Sequence, residues 1–166
     1  MSDHPSYTSR TPHHARVADF MLRAKQAVPL FPIIPSAEVR KLRAKLILEE
    51  ALETVRGLGF AVHMKGDREI EGEVFHPTTD DLDFLDVFEP DLVEIVDGCA
   101  DISVVTTGTL IACGVPDEPV LEMVDYNNLM KFGPGHSYRE DGKLIKPPGH
   151  MRPAFDVLLG DLGYRA

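Results

Sequence analysis

The sequence predicts an all-α fold, an antiparallel helix bundle carrying a small β-hairpin insertion and a loop-rich C-terminal tail. Three observations carry this. Residues 36–59 run without proline from a serine to a pair of glycines. Residues 91–114 form a second uninterrupted segment of the same length, apolar nearly all round. The segments between and after them are short and punctuated by Pro and Gly.

At the N-terminus, residues 1–12 hold Ser, Thr, Pro and His without periodicity and read as a flexible arm. "HHARVADFMLRAKQAV" then spaces Val17, Phe20, Met21 and Ala24 at helical intervals, predicting a helix over roughly residues 13–27 that stops before the prolines of "PLFPIIP". Ser36 is the expected N-cap of the first long helix, with Glu38 in its first turn favouring the helix dipole.

From Phe60 the pattern alternates as in a strand, and Gly66-Asp67 supplies a turn between two short runs. Residues 60–90 are therefore a hairpin and an acidic insertion, whose part "PTTDDLDFLDVFEP" has room for one helical turn. The second long helix begins at Pro90 or Asp91 and ends at Gly114, and Pro116 opens another. Residues 132–166 form the tail, with Asp141-Gly142 as a hairpin turn. One domain over residues 1–166 is the organisation that 166 residues and 43% hydrophobic content suggest.

With 27 acidic against 17 basic residues and a net charge of −10, the chain is unsuited to tracking a nucleic-acid polymer or an anionic membrane, and a cation suits it better. No signal-like segment opens the sequence, and no segment is read as a membrane span. Cys99 and Cys113, on one helix about 21 Å apart at ~1.5 Å rise per residue, are beyond disulfide reach. They read as packed, reduced thiols of a cytoplasmic protein.

The chemistry lies in two acidic clusters. "LILEEALETV" places Glu49, Glu50 and Glu53 within one helical turn, where like charges repel by a few tenths of a kcal/mol per pair. Glu94, Asp97 and Asp101 are spaced by three and four, within roughly 60° of one another on the second long helix. Asp101 is the only charge between Asp97 and Cys113, and no Lys or Arg lies nearby in that segment. A carboxylate in apolar surroundings needs a partner or becomes protonated. If the two helices pack antiparallel, the Glu50/Glu53 turn faces the Asp97/Asp101 turn, and three or four oxygens suit Mg²⁺, or Mn²⁺. A di-iron site would pair Glu with a His three residues on, which neither cluster has. Taken alone, "EEALE" is equally an ordinary solvated helix face, and Asp101 a hydrogen-bonded structural aspartate.

Glu49-Glu50-x-x-Glu53, followed after an insertion by Glu94-x-x-Asp97 and "ADISVVTTGTLIACGV", resembles the all-α nucleoside triphosphate pyrophosphohydrolases: MazG-like enzymes, dimeric dUTPases and phosphoribosyl-ATP diphosphatase. "VDYNNLMKFG" and "YREDGKLIKPPGHMRP" resemble the tail of short MazG-like proteins, so the likeness spans roughly residues 15–153. One departure stands out. Many relatives carry Glu three residues before the aspartate matching Asp101, whereas Gly98 stands here, leaving Glu94 and Asp97 as alternative ligands.

The resemblance implies Mg²⁺-dependent hydrolysis of a (d)NTP between its α- and β-phosphates, with phosphoribosyl-ATP hydrolysis in histidine synthesis as the alternative. From another class, a catalytically silent helical dimer that uses its carboxylates for a structural ion is the competing reading. The expected site has Glu50, Glu53, Asp101 and Glu94 or Asp97 as metal ligands. Glu49, about 100° round the helix from Glu50, is the general base. Asn128, Lys131, Arg139, Lys143, Lys146 and Arg152 are the groups expected on the phosphates, with a solvated basic hairpin as the plainer reading of the five cations. The resemblance also implies a homodimer, sometimes doubled to a tetramer, in which Val104, Leu110 and Ile111 pack against the partner. The apolar stretch "ISVVTTGTLIACGV" independently calls for cover.

Overall fold

A computed structural model describes residues 8–65, 78–140 and 142–165. It is mostly helical, with two small antiparallel sheets of two strands each. In order the elements are α1 (Pro12–Arg23), α2 (Ala37–Gly57), β1 (Phe60–Met64), a 3₁₀ turn (Thr79–Asp81), β2 (Leu82–Asp86), α3 (Leu92–Ala112), α4 (Asp117–Leu129), a 3₁₀ turn (Met130–Phe132), β3 (Ser137–Tyr138), β4 (Leu144–Ile145) and α5 (Phe155–Asp161). The chain divides into two compact units, Met1–Arg40 with Thr107–Ala166, and Lys41–Thr106.

In the first unit, Thr11 caps α1. Its hydroxyl accepts from the His14 N–H at 3.1 Å, and Pro12 fills the first helical position, where no N–H is needed. His14, Val17 and Met21 follow at helical spacing and are buried. The carboxylate of Asp117, only 2% exposed, accepts from the Thr11 N–H at 3.0 Å and from the Thr11 hydroxyl. One buried acid in the first turn of α4 thereby ties down the start of α1, and its charge is favoured at that helix N-terminus. Gly114, at φ +70°, ends the turn after α3. A Cβ there would collide with the Phe31 carbonyl oxygen, and Ile33 N–H donates to the Cys113 carbonyl at 2.9 Å. At the other end of the unit, α5 buries Leu158.

His14 is a pH-sensitive part of this packing. Burial holds its pKa below the ordinary histidine value and outweighs the nearby Asp117 charge and a hydrogen bond to the Val115 backbone, both of which raise it, while Arg10 and His13 add to the lowering. Because the unfolded chain then binds the proton more readily, stability is lost as pH falls through about 6.5 towards the folded-state value. The melting temperature is expected to drop between pH 7.5 and 5.5, and His14→Gln should flatten that slope. An unchanged slope in the variant would assign the effect to other groups.

The second unit pairs α2 with α3 and carries the hairpin. β1 lies antiparallel to β2, Phe60 opposite Asp86 and Met64 opposite Leu82. The run expected directly after Gly66-Asp67 lies outside the described residues, and the partner strand seen for β1 is "LDFLD" further on. Apolar residues at alternate positions there, Leu82 and Phe84, fit a strand despite three aspartates among residues 81–86. The Gly66-Asp67 turn itself lies outside the described residues. The single helical turn expected in the acidic stretch is present at Thr79–Asp81, closed by a capping box between Thr78 and Asp81. In the tail the β3–β4 hairpin forms where Gly142 stands, at φ +81°, although Asp141 is outside the described residues.

Three expectations are corrected. The apolar helix α3 is not enclosed by its own chain: Leu92 is 74%, Val93 73% and Val96 61% exposed, and Cys99 is exposed rather than packed. Conversely Ile111, assigned above to an interface, is 2% exposed within this chain, so the uncovered apolar surface lies at the N-terminal half of the helix. Finally, Leu92–Ala112 is long and apolar enough by length and composition to cross a membrane, which the eye misses because Glu94, Asp97 and Asp101 interrupt the run.

Candidate active site on the paired helices

Two close approaches and one charge interaction define how α2 and α3 meet. A Cβ on Gly57 would lie 3.1 Å from Glu94 Cβ, and a Cβ on Gly98 would collide with Thr54 Oγ1 and lie 3.1 Å from Thr54 Cα. One turn further, Glu50 feels the charge of Asp101. The pairs 57/94, 54/98 and 50/101 run in opposite directions along the two chains, so the helices are antiparallel, as the sequence suggests. Glu94, Gly98 and Asp101 form the stripe of α3 turned to α2.

This crossing explains the departure at Gly98. The helices approach so closely there that a side chain would strike Thr54, whose hydroxyl is already committed to the Glu50 carbonyl at 2.7 Å. A glutamate has no room at this point. Carboxylates are accommodated only on either side of the contact, at Glu94, Asp97 and Asp101.

Electrostatics ties the two clusters together. The pKa of Glu50 is raised, first by desolvation and then by the charges of Asp101, Glu53, Glu49 and Asp97. Four of the predicted residues therefore act on a fifth. Glu94 is absent from those charges, yet it lines the same cavity as Glu53. Steric position thus favours Glu94 as the residue turned to α2, while the field at Glu50 includes Asp97. Among the described residues no three acidic, His or Cys side chains converge on one point. The acidic residues along this crossing nonetheless offer carboxylate oxygens, the donor type a hard divalent cation takes, and their mutual repulsion at Glu50 is what such a cation would relieve.

The predicted phosphate-binding residues belong to the first unit. Lys131 Nζ donates to Asn128 Oδ1 at 2.5 Å across the end of α4, so these two lie together as their spacing implies. Arg139 and Lys143 flank the β3–β4 turn, where Arg139 N–H donates to the Lys143 carbonyl at 2.8 Å. Lys146 and Arg152 are exposed beyond it.

Asn127 escaped the sequence reading. Its Nδ2 donates to the Met151 carbonyl at 2.8 Å and its Oδ1 lies 3.0 Å from His150 Nε2, which fastens the tail beside Arg152 to α4. A polar residue next to Asn128 gave no periodic signal by which to single it out.

The model of one protein family matches the chain over residues 16–128, that of phosphoribosyl-ATP pyrophosphohydrolase, and the match takes in all six acidic residues and Asn128. No curated protein matches the chain.

Proposed function

We propose, because this chain belongs to the phosphoribosyl-ATP pyrophosphohydrolase family, that its substrate is phosphoribosyl-ATP, cleaved between the α- and β-phosphates to pyrophosphate and the monophosphate. The chain is a pyrophosphohydrolase of the MazG-like all-α superfamily, and the family match favours this substrate over an ordinary or modified (d)NTP. The observation that supports the assignment of the site is that the charge of Asp101 acts on Glu50 one turn beyond the Thr54–Gly98 crossing.

In this reading Glu50, Glu53 and Asp101, with Asp97 or Glu94 beside them, hold Mg²⁺. A bound divalent cation neutralises phosphate oxygens and lowers the pKa of water enough to make a nucleophile near neutral pH. Glu49, turned about 100° from Glu50, accepts the proton of the attacking water on its carboxylate. Asn128, Lys131, Arg139, Lys143, Lys146 and Arg152 bind the phosphates, and Asn127 with His150 holds the tail in position. An acidic chain requires such cationic groups to receive a polyanion.

A second reading, hydrolysis of a (d)NTP, draws on the tail, which lies beyond the matched residues and resembles short MazG-like proteins. Pyrophosphate release from phosphoribosyl-ATP and a panel of (d)NTPs, with Mg²⁺, separates the two. Turnover of phosphoribosyl-ATP at least about tenfold above any (d)NTP in kcat/KM is expected. The reverse order would replace the substrate.

The working unit in this proposal is a homodimer, within which residues 1–166 serve as one catalytic domain of a cytoplasmic enzyme. Exposed Leu92, Val93 and Val96 on α3, with Leu48 and Leu52 exposed on α2, support a second copy as their cover. Val93→Asp is expected to halve the mass seen by light scattering and to lower activity with it. Wild-type protein active at the mass of one 18.4 kDa chain would sink the dimer.

A further inference from the structure

The insertion between the two acidic helices builds a second feature in the same unit. Gly59, at φ +96°, accepts at its carbonyl from the N–H groups of Val87 (3.2 Å) and Phe88 (3.0 Å), while the Gly57 carbonyl accepts from Asp91 at 2.9 Å. Any side chain at Gly59 would crowd the Phe88 carbonyl oxygen at 2.9 Å. The segment after β2 is thereby pinned against the end of α2. Phe88 stays 44% exposed, with the Arg56 guanidinium 5.7 Å from its ring centroid.

Beneath this pair opens a cavity of about 580 Å³, lined also by Glu53, Glu89, Asp91 and Glu94. Its size is that of a small-molecule site. Its two ends differ in chemistry. Glu53 and Glu94 belong to the candidate cation site, while Arg56 and Phe88 offer a planar cation on an aromatic ring. Four carboxylates against one guanidinium repel an unshielded phosphate and accept N–H and O–H donors. Asp91 has one oxygen committed to the Val93 N–H at 2.8 Å, whereas the Glu89 side chain is exposed.

We propose that this cavity receives the nucleobase end of the substrate, its ring stacked on the Arg56–Phe88 pair and its amino or sugar hydroxyl donors facing Glu89 and Asp91. The inference rests on the nucleotide pyrophosphohydrolase reading, and it gives the insertion a role in choosing the base. Stacking tolerates any flat heteroaromatic ring, so the carboxylates supply the preference among bases.

Phe88→Ala, Phe88→Tyr and Arg56→Ala test it in the full-length protein with Mg²⁺. Phe88→Ala is expected to raise KM for the preferred nucleotide about tenfold with kcat within threefold, and Phe88→Tyr, which keeps the ring, to restore it. Arg56→Ala should also raise KM. Binding of adenosine 5′-monophosphate, followed by saturation-transfer NMR, should weaken in step. An unchanged KM and monophosphate affinity in Phe88→Ala, or a fall in kcat alone that tyrosine does not rescue, overturns the base site while leaving the hydrolase reading intact. Should the wild type hydrolyse no nucleotide, the hydrolase reading fails, and loss of monophosphate binding in Phe88→Ala but not Phe88→Tyr still decides the cavity.

Discussion

Glu50→Gln, Glu53→Gln and Asp101→Asn are each expected to lower kcat/KM on the order of a hundredfold or more while the metal-free protein melts no lower than wild type. The two effects share one cause. Desolvation and the charges of Asp101, Glu53, Glu49 and Asp97 raise the pKa of Glu50, so the folded protein binds that proton more tightly than the unfolded chain. The corresponding stability is present at acid pH and is lost as pH rises through the folded-state value, so at neutral pH the ionised carboxylate opposes folding. Glutamine removes that opposition together with the cation's ligand. Mg²⁺ should therefore raise the melting temperature of the wild type and leave that of Glu50→Gln unmoved. Scanning fluorimetry with Mg²⁺ and with chelator reads this without any activity measurement. Near wild-type turnover at saturating Mg²⁺ would remove the substituted residue from the site.

Gly98→Ala is expected to damage both stability and activity, although alanine is the better helix former by about 1 kcal/mol. The added methyl would meet Thr54 Oγ1 and crowd Thr54 Cα, and overpacking of this kind costs about 1–3 kcal/mol. If the helices separate, the cost falls on chemistry: displacing aligned groups by about 1 Å can lose on the order of a hundredfold in rate. We expect a fall of a few degrees in melting temperature and at least about a tenfold loss of kcat/KM. Thr54→Ala in the same chain removes the colliding hydroxyl and should recover part of both. If Gly98→Ala is as active and stable as wild type, the close crossing is not what holds the carboxylates in place.

The helix pair was legible because a 3.6-residue period writes itself into spacing: Glu50 and Glu53 share one turn, Glu94, Asp97 and Asp101 share one stripe, and antiparallel packing was the added assumption that set the Glu50/Glu53 turn against the Asp97/Asp101 turn. Helix starts were similarly readable: Ser36 Oγ accepts from the Val39 N–H, and α4 begins directly after Pro116. What escaped depends on partners distant in sequence. β1 pairs with Leu82–Asp86, well beyond its own sequence neighbours, and nothing local to Asp117 reveals that Thr11, 106 residues away, will share its carboxylate. Helix α5 went unread because the tail was judged by its Gly and Pro content, although Val157, Leu158 and Leu159 form an apolar run after Pro153. The burial of α3 was misjudged for a different reason. An apolar composition states that a surface needs cover, not that its own chain supplies it, and Leu92, Val93 and Val96 stay exposed within this chain.

The contact between Gly98 and Thr54 also sets how this protein tolerates insertions. Because the ladder 57/94, 54/98, 50/101 advances in step along both helices, one residue added to α2 between Glu50 and Thr54 would leave the crossing in place and swing Glu50 about 100° away from Asp101. Length can vary outside the two helices at far smaller cost, since loop closure grows only by about 0.6 kcal/mol per doubling. The Glu50–Asp101 pair is thus keyed to the spacing within each helix, and the intervening segment is where such a chain is free to lengthen.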